Sequence, residues 1–367
     1  MPRNSRARVA TALCGASLLL VAACGGADDS KDSVSTSDAP AAEIVDRATS
    51  DIPFEGPETS PAPTSDATIA IIECAAAAAG CVRVASGVQD AGDLLGWEVK
   101  VLDGQGQASG QNAAIQQAVS QGVDGIILAA FNSEAVSQGM TAAENAGIPV
   151  VSVEAGNPVG DGPTDVYAEP DTGAVAAGEM LAALVATDSD GKAKVATLTT
   201  DEVPVTVQRH DAFMDQIDKC TGCEVLEEQN YLLSTAIKDV PLKVKSILQA
   251  NPDLQYLFVD IGQYGALAVQ AIDEAGSDVK VVSVDCNADD LANIESGDTQ
   301  LGCAAHGLES GGWAGVGALV FALGDEETAD DFVVPTKLIV KDNLPDGDIW
   351  QGDFDPEDAY GQLWGMN

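Results

Sequence analysis

The chain is poor in positive charge. Its 367 residues hold 17 lysines and arginines against 58 acidic residues, a formal charge of −41. A surface of that sign repels polynucleotides and anionic headgroups, so no nucleic-acid partner is expected. Histidine is scarcer still: His210 and His306 are the two imidazoles. No Gly-x-Ser-x-Gly elbow, His-Glu-x-x-His helix or phosphate-binding P-loop occurs. The stretch GQGQASG at 104–110 follows a predicted strand, but its third glycine falls one residue late for a dinucleotide fingerprint. A zinc site needs about four ligands, and Cys220-Thr-Gly-Cys223 has no second pair to complete one. Enzymatic activity, cofactor and metal are therefore not expected. After residue 23 no stretch approaches the ~20 apolar residues of a membrane-spanning helix.

What is present begins with a leader. Arg3, Arg6 and Arg8 precede the apolar run Val9–Ala23, the pattern of a secretory signal peptide over 1–23. The segment Leu20-Val21-Ala22-Ala23-Cys24 resembles a bacterial lipobox. It implies cleavage before Cys24, a lipid on its sulfur, and a protein held at the extracytoplasmic face of the membrane. Loss of the three leader arginines leaves 58 acidic against 14 basic residues, a charge of −44. Residues 24–67 are rich in Ser, Thr, Asp, Pro and Ala, and are expected to be a disordered linker.

Of eight cysteines, Cys14 leaves with the leader and Cys24 carries lipid. Six remain: Cys74, Cys81, Cys220, Cys223, Cys286 and Cys303. An even number in an exported protein predicts disulfides, and the simplest of the possible pairings are the local ones, 74–81, 220–223 and 286–303. A thioredoxin-like dithiol at Cys220–Cys223 is disfavoured. The pair lies between a predicted helix and the next strand, whereas redox thiols sit at a helix N-terminus, whose dipole lowers their pKa.

From Thr68, short β-branched runs alternate with helical patterns. Strands are predicted at 68–73, 97–102, 125–130, 149–154, 165–169, 194–199, 223–229, 254–260, 279–285, 300–305 and 332–340. Helices such as Gly110–Gln121, Glu134–Ala146, Asp171–Ala186 and Thr206–Lys219 separate them. The alternation predicts an α/β fold with parallel sheets, and so many strands favour two sheets over one.

In GWEVKVLDGQGQ (96–107), QAVSQGVDGIILAAFNSEAV (117–136), AENAGIPVVSVEAG (143–156), EPDTGAVAAGEML (169–181), ANPDLQYLFVD (250–260) and VKVVSVD (279–285) the chain resembles the type I periplasmic solute-binding proteins, the ribose- and galactose-type receptors of ABC importers. The resemblance runs from Thr68 to about Lys341. It implies two Rossmann-like lobes joined by a three-crossover hinge, 68–155 plus 307–335 and 156–306 plus 336–345. An acidic aromatic tail, 346–367, lies beyond the usual family end. It further implies a monomer that captures a small polar molecule, sugar or sugar-like, and delivers it to an ABC permease. A tethered sensor presenting its closed form to a signalling partner is the alternative.

In open α/β sheets, ligands bind outside the carboxyl ends of the strands. That rule selects Asn132, Ser133, Glu154, Asp201, Glu202, Asp260, Gln263, Asp285, Asn287 and His306. Arg209 and Tyr264 join them as candidates. The resemblance matches Asp285 to a family aspartate and His306 to a polar hinge position. It also exposes departures. The aromatic-bearing first loop of sugar receptors is here Ala75–Gly80, and their ligand-binding arginine aligns with Val207. Such a pocket, with Tyr264, Phe131 and Trp313, is expected to admit a larger or less hydroxylated ligand. CAAAAAGC (74–81) then reads as a stapled, small-sided pocket wall.

Overall fold

The computed structural model describes residues 39–297, 299–324, 326 and 332–366; the leader, Cys24 and residues 25–38 lie outside that range. The described residues begin with α1 (Ala39–Ala48), β1 (Thr68–Glu73), α2 (Ala79–Leu95), β2 (Glu98–Asp103), α3 (Ala108–Ser120), β3 (Gly125–Ala129), α4 (Ser137–Ala146) and β4 (Val150–Val153). They continue with α5 (Ala174–Asp188), β5 (Lys194–Thr199), α6 (Pro204–Ile217), β6 (Glu224–Asn230), α7 (Ala236–Ala250), β7 (Tyr256–Val259), α8 (Gly262–Ala275), β8 (Lys280–Val284), α9 (Ala288–Ser296) and β9 (Gln300–His306). The chain closes with α10 (Leu308–Leu323), β10 (Thr336–Ile339) and α11 (Pro356–Leu363).

Two sheets result, as the β-α alternation predicts. Lobe one holds the order β2-β1-β3-β4, and lobe two β10-β9-β8-β7-β5-β6, in which β10 alone runs antiparallel. The inner strands are apolar on both faces, and every residue of β3 and β4 is buried. This is what helices covering both faces of a parallel sheet require. The edge strands β2 and β6 instead expose Glu98, Asp103, Glu224 and Glu228, charges that discourage edge-to-edge pairing. Two predicted strands are shortened or lost. Residues 165–169 make only isolated bridges, Val159 to Val166 and Val151 to Ala168. The run 332–340 becomes a strand only from Thr336, after Pro335, which lacks the N–H a ladder needs.

The chain passes between the lobes from β4 to α5, from β9 to α10, and through 332–335 into β10. These passages are tied to one another. The N–H of Asp171 donates to Phe332 O and that of Val334 to Asp171 O, each at 2.8 Å, and the N–H of Gly307 donates to Pro335 O at 2.9 Å. In lobe one, α2 and α10 meet backbone to backbone. A Cβ on Gly87 would lie 1.9 Å from Glu309 O, and one on Gly312 2.4 Å from Val84 O, so any side chain there would force the helices apart.

The terminal segments correct the expectation of disorder up to residue 67. Helix α1 packs on α5, burying Ala41, Ile44, Val45 and Ala48 against lobe two. Their spacing is that of one helical face. The chain then crosses to lobe one. The Lys337 ammonium donates to the Asp51 carboxylate at 3.2 Å, and the Trp97 indole N–H to Thr64 O at 2.8 Å. Phe54 packs edge-on against Phe354 and Tyr360, with centroids 5.4 and 5.1 Å apart. The tail makes the same journey. Trp350 is buried with Cys286 and Cys303 in lobe two. Tyr360 and Trp364 stack on Trp313 of α10 at 5.6 and 5.9 Å. Trp313 therefore belongs to the lobe-one core and not to a pocket, contrary to the expectation above.

Candidate functional site

The carboxyl ends of the inner strands of both lobes converge on a cleft of about 740 Å³. The backbone around it is unusual. Gln105, Ala130, Glu154, Asp285 and Cys286, each just beyond a strand end, have φ between 47° and 73°. Non-glycine residues held there carry strain that concentrates at working surfaces. Eight of the predicted residues line the cleft: Asn132, Glu154, Glu202, Arg209, Gln263, Tyr264, Asp285 and Asn287.

Its charged centre is a buried group spanning the lobes. Arg209, on α6 of lobe two, donates through Nη2 to Glu154 Oε2 at 3.0 Å, at the start of the first passage out of lobe one. Asp285 Oδ1 lies 3.7 Å from the same Nη2, and Arg209 Nη1 donates to Asp260 O at 3.3 Å. Arg209 and Glu154 are 4% and 3% exposed, yet Arg209 Nε and Glu154 Oε1 have no hydrogen-bond partner. A buried donor and acceptor left open beside a cleft are the features that a polar ligand would satisfy. Close packing holds the arginine in place: a Cβ on Gly178 of α5 would lie 2.3 Å from Arg209 O.

Asp285 is anchored by the Gly262 N–H, which donates to Oδ2 at 3.2 Å. A second arginine supports it from lobe one. Arg83 of α2 donates from Nε and Nη2 to both carboxylate oxygens of Glu309, at 2.8 and 2.9 Å. It also reaches Asp285 O, His306 O and Trp350 O, each at 3.3 Å, and Asn287 Oδ1 at 3.5 Å. Arg83 thus fixes the loop that carries Asp285 and Asn287 without lining the cleft.

Four predicted residues lie elsewhere. Ser133 is fully buried, its N–H donating to Asn157 Oδ1 at 3.0 Å. Asp201 lines a separate groove of about 340 Å³ with Thr199, Val207, His210 and Asn230. Asp260 is fully buried beneath the cleft and accepts from the Tyr231 hydroxyl at 2.6 Å and the Thr200 N–H at 2.7 Å. Burial pushes its carboxyl up to about 7 despite these bonds and the nearby Arg209. His306 is fully buried, with Nδ1 3.6 Å from Glu154 Oε1. It packs behind the charged group where β9 leaves lobe two. The arginine thought lost at Val207 is also placed differently: Val207 faces the side groove, and Arg209 occupies the cleft.

Gln107, Gln111, Thr206 and Ser234 line the cleft unanticipated. Gln107 and Gln111 lie one helical turn apart at the start of α3, a spacing that could have flagged them. The Cys74–Cys81 disulfide and alanines of the CAAAAAGC loop form part of the wall, and Cys220–Cys223 and Cys286–Cys303 complete the local pairing. In the first passage, Glu169 accepts from the Ser152 hydroxyl and from the Ala155 and Gly156 N–H groups at 3.0 and 3.1 Å. Burial raises its carboxyl to about 7. Among the described residues no helix is long and apolar enough to cross a membrane.

A family model for the periplasmic binding protein domain matches residues 71–324. The chain is 27% identical over 217 residues to the ribose import binding protein of Bacillus subtilis (strain 168), covering 58% of this chain and 68% of that protein. It is 23% identical over 265 residues to the protein of that name in Escherichia coli (strain K12), covering 71% and 86%. A solved ABC transporter solute binding protein from Mycobacterium smegmatis, with bound glycerol, superposes with a TM-score of 0.68 at 21% identity, over 78% of this chain and 99% of that one. One from Agrobacterium vitis, bound with alpha-D-tagatopyranose, gives 0.69 at 21% identity, over 77% and 98%.

Proposed function

The chain belongs to the periplasmic binding protein family, and from that premise we propose that it captures a small, sugar-like molecule between its lobes for import through an ABC permease. The observation that carries this reading is the buried Arg209–Glu154–Asp285 group, drawn from both lobes and holding open hydrogen-bonding capacity beside the cleft. Carboxylates accept from ligand hydroxyls and the guanidinium donates to ligand oxygens, so one group reads both sides of a polyol. A ligand touching both lobes stabilises the closed arrangement by its differential affinity for it, and the closed form is what a permease would recognise. The binding proteins named above, which include ribose receptors, support the class of ligand.

Thermal unfolding of the full chain against pentoses, hexoses, polyols, nucleosides and amino acids tests this reading. A true ligand at 100 times its Kd adds about 2.7 kcal/mol. Asp285→Asn should remove that increment while keeping the side-chain shape. A melt that no compound shifts, or a shift that survives in Asp285→Asn, would sink the assignment.

The same reading places the protein on the extracytoplasmic face as a monomer, tethered through lipid on Cys24. Cys24→Ser should release it into the medium; continued membrane retention would rule the lipid out as the anchor.

A further inference from the structure

We infer that the ligand of this cleft is two-faced: a sugar-sized polyol that carries an alkyl or aryl substituent. The inference rests on the solute-capture reading and narrows it. The two walls of the cleft differ in kind. Every charged side chain lining it comes from lobe two or, as Glu154, from the end of β4. Apart from Glu154 at the end of β4 and three amides, Gln107, Gln111 and Asn132, the lobe-one wall is apolar, built on the Cys74–Cys81 disulfide and the alanines beside it. Away from Glu154 it has no hydroxyl and no charge. On lobe two, Leu233 and Ile237 line the cleft beyond the charged group, and Ile237 is 75% exposed. An isoleucine so exposed on the lining of a cleft gains a partner when something apolar fills the space.

Size points the same way. The cleft of about 740 Å³ leaves room beside a pentose-sized ring for a further group on the same molecule. A larger ligand that is hydroxylated throughout would press hydroxyls against alanine, disulfide, Leu233 and Ile237. None of these side chains replaces the hydrogen bonds lost from water, and that desolvation opposes binding. An apolar substituent reverses the sign, because each buried methylene tightens binding roughly fourfold. The polyol then meets Arg209 and Asp285, and the substituent lies along the lobe-one wall and the Leu233–Ile237 rim.

The test is titration calorimetry on the full chain with ribose, galactose and glucose, with their n-butyl and phenyl derivatives at the anomeric and terminal hydroxyls, and with n-butanol and phenol alone. At least one substituted sugar should bind tenfold or more tighter than its parent, and the two alcohols should not bind measurably. Parent sugars that bind as tightly as every derivative would overturn the two-faced ligand and leave solute capture standing. Alcohols that bind as tightly as the derivatives would overturn the polyol half. If no compound in the panel binds, both the inference and the sugar-like reading beneath it fall. Leu233→Ser and Ile237→Ser separate the placement from the fold: each should reduce the ratio of derivative to parent affinity by fivefold or more. A ratio that does not move would overturn the assigned wall.

Discussion

Two arginines of this molecule invite comparison. Arg83 sits in lobe one and reaches into lobe two; Arg209 sits in lobe two and reaches the end of β4 in lobe one. Both are deeply buried, at 7% and 4% exposure, and both pair with a glutamate. They differ in what is left over. Arg83 engages both oxygens of Glu309 and four further acceptors, so its donors are saturated. Arg209 keeps an unpartnered Nε, and its glutamate an unpartnered Oε1. Burial and ion pairing are common to both, so neither identifies a binding residue. Unused hydrogen-bonding capacity beside the cleft is what supports the proposal that Arg209 contacts ligand.

The largest effect that could break the comparison lies at Arg83. Arg83→Met leaves Glu309 buried without its counter-charge and should lower the free energy of unfolding by about 3–5 kcal/mol, read from urea titration. Adding Glu309→Leu removes the stranded carboxylate and should restore much of that loss. A single variant within about 0.5 kcal/mol of the parent would mean that Arg83 is not the tie described. Arg209→Met sharpens the other side. It should lose the ligand-dependent increment of about 2.7 kcal/mol, which Arg83→Met, lying outside the cleft, should still display in part. Equal loss in both variants would erase the distinction between them.

The smallest effect concerns pH. Burial raises the carboxyls of Glu169, Asp260 and Asp290 each to about 7. A raised carboxyl pKa means that the folded state binds protons the unfolded chain has already released. The associated stability is full below about pH 4 and is lost as pH rises through about 7, by up to roughly 1.4 kcal/mol per pH unit for each group. The melting temperature should therefore be higher at pH 5 than at pH 8. Self-repulsion in a chain of formal charge −41 acts in the same direction. A melting temperature that climbs between those pH values would contradict the burial of these carboxyls.

Much of this architecture was legible before any coordinates. Runs such as TIAIIE and GIILA are apolar on both faces, and that pattern alone implies a covered parallel sheet. Asn132, Asp285 and Asn287 followed from strand ends. The same rule misplaced Asp260, because it counts positions along the chain. Whether a side chain emerges or stays inside depends on where the next helix begins, and α8 begins only two residues on. Helix α1 was hidden by the Ser-, Asp- and Pro-rich composition around it, although Ala41, Ile44, Val45 and Ala48 carry a helical period. Arg83 and Glu309 are 226 positions apart, and nothing local in either segment announces the pair. Trp313 was drawn into the pocket because its partners, Tyr360 and Trp364, lie in a tail whose docking the sequence does not specify.

The docked tail and β10 bear on how far this chain can be shortened. Residues 71–324 are the part shared with its family, and they look like a complete domain. Cut there, the protein would lose β10, leaving the backbone of β9 as an open strand edge. It would also lose the two rings that cover Trp313. An uncapped strand and a bared aromatic face on one molecule are the two surfaces through which proteins stick to copies of themselves. A chain cut to 71–324 is thus expected to self-associate where the full chain does not, which light scattering on the two would show.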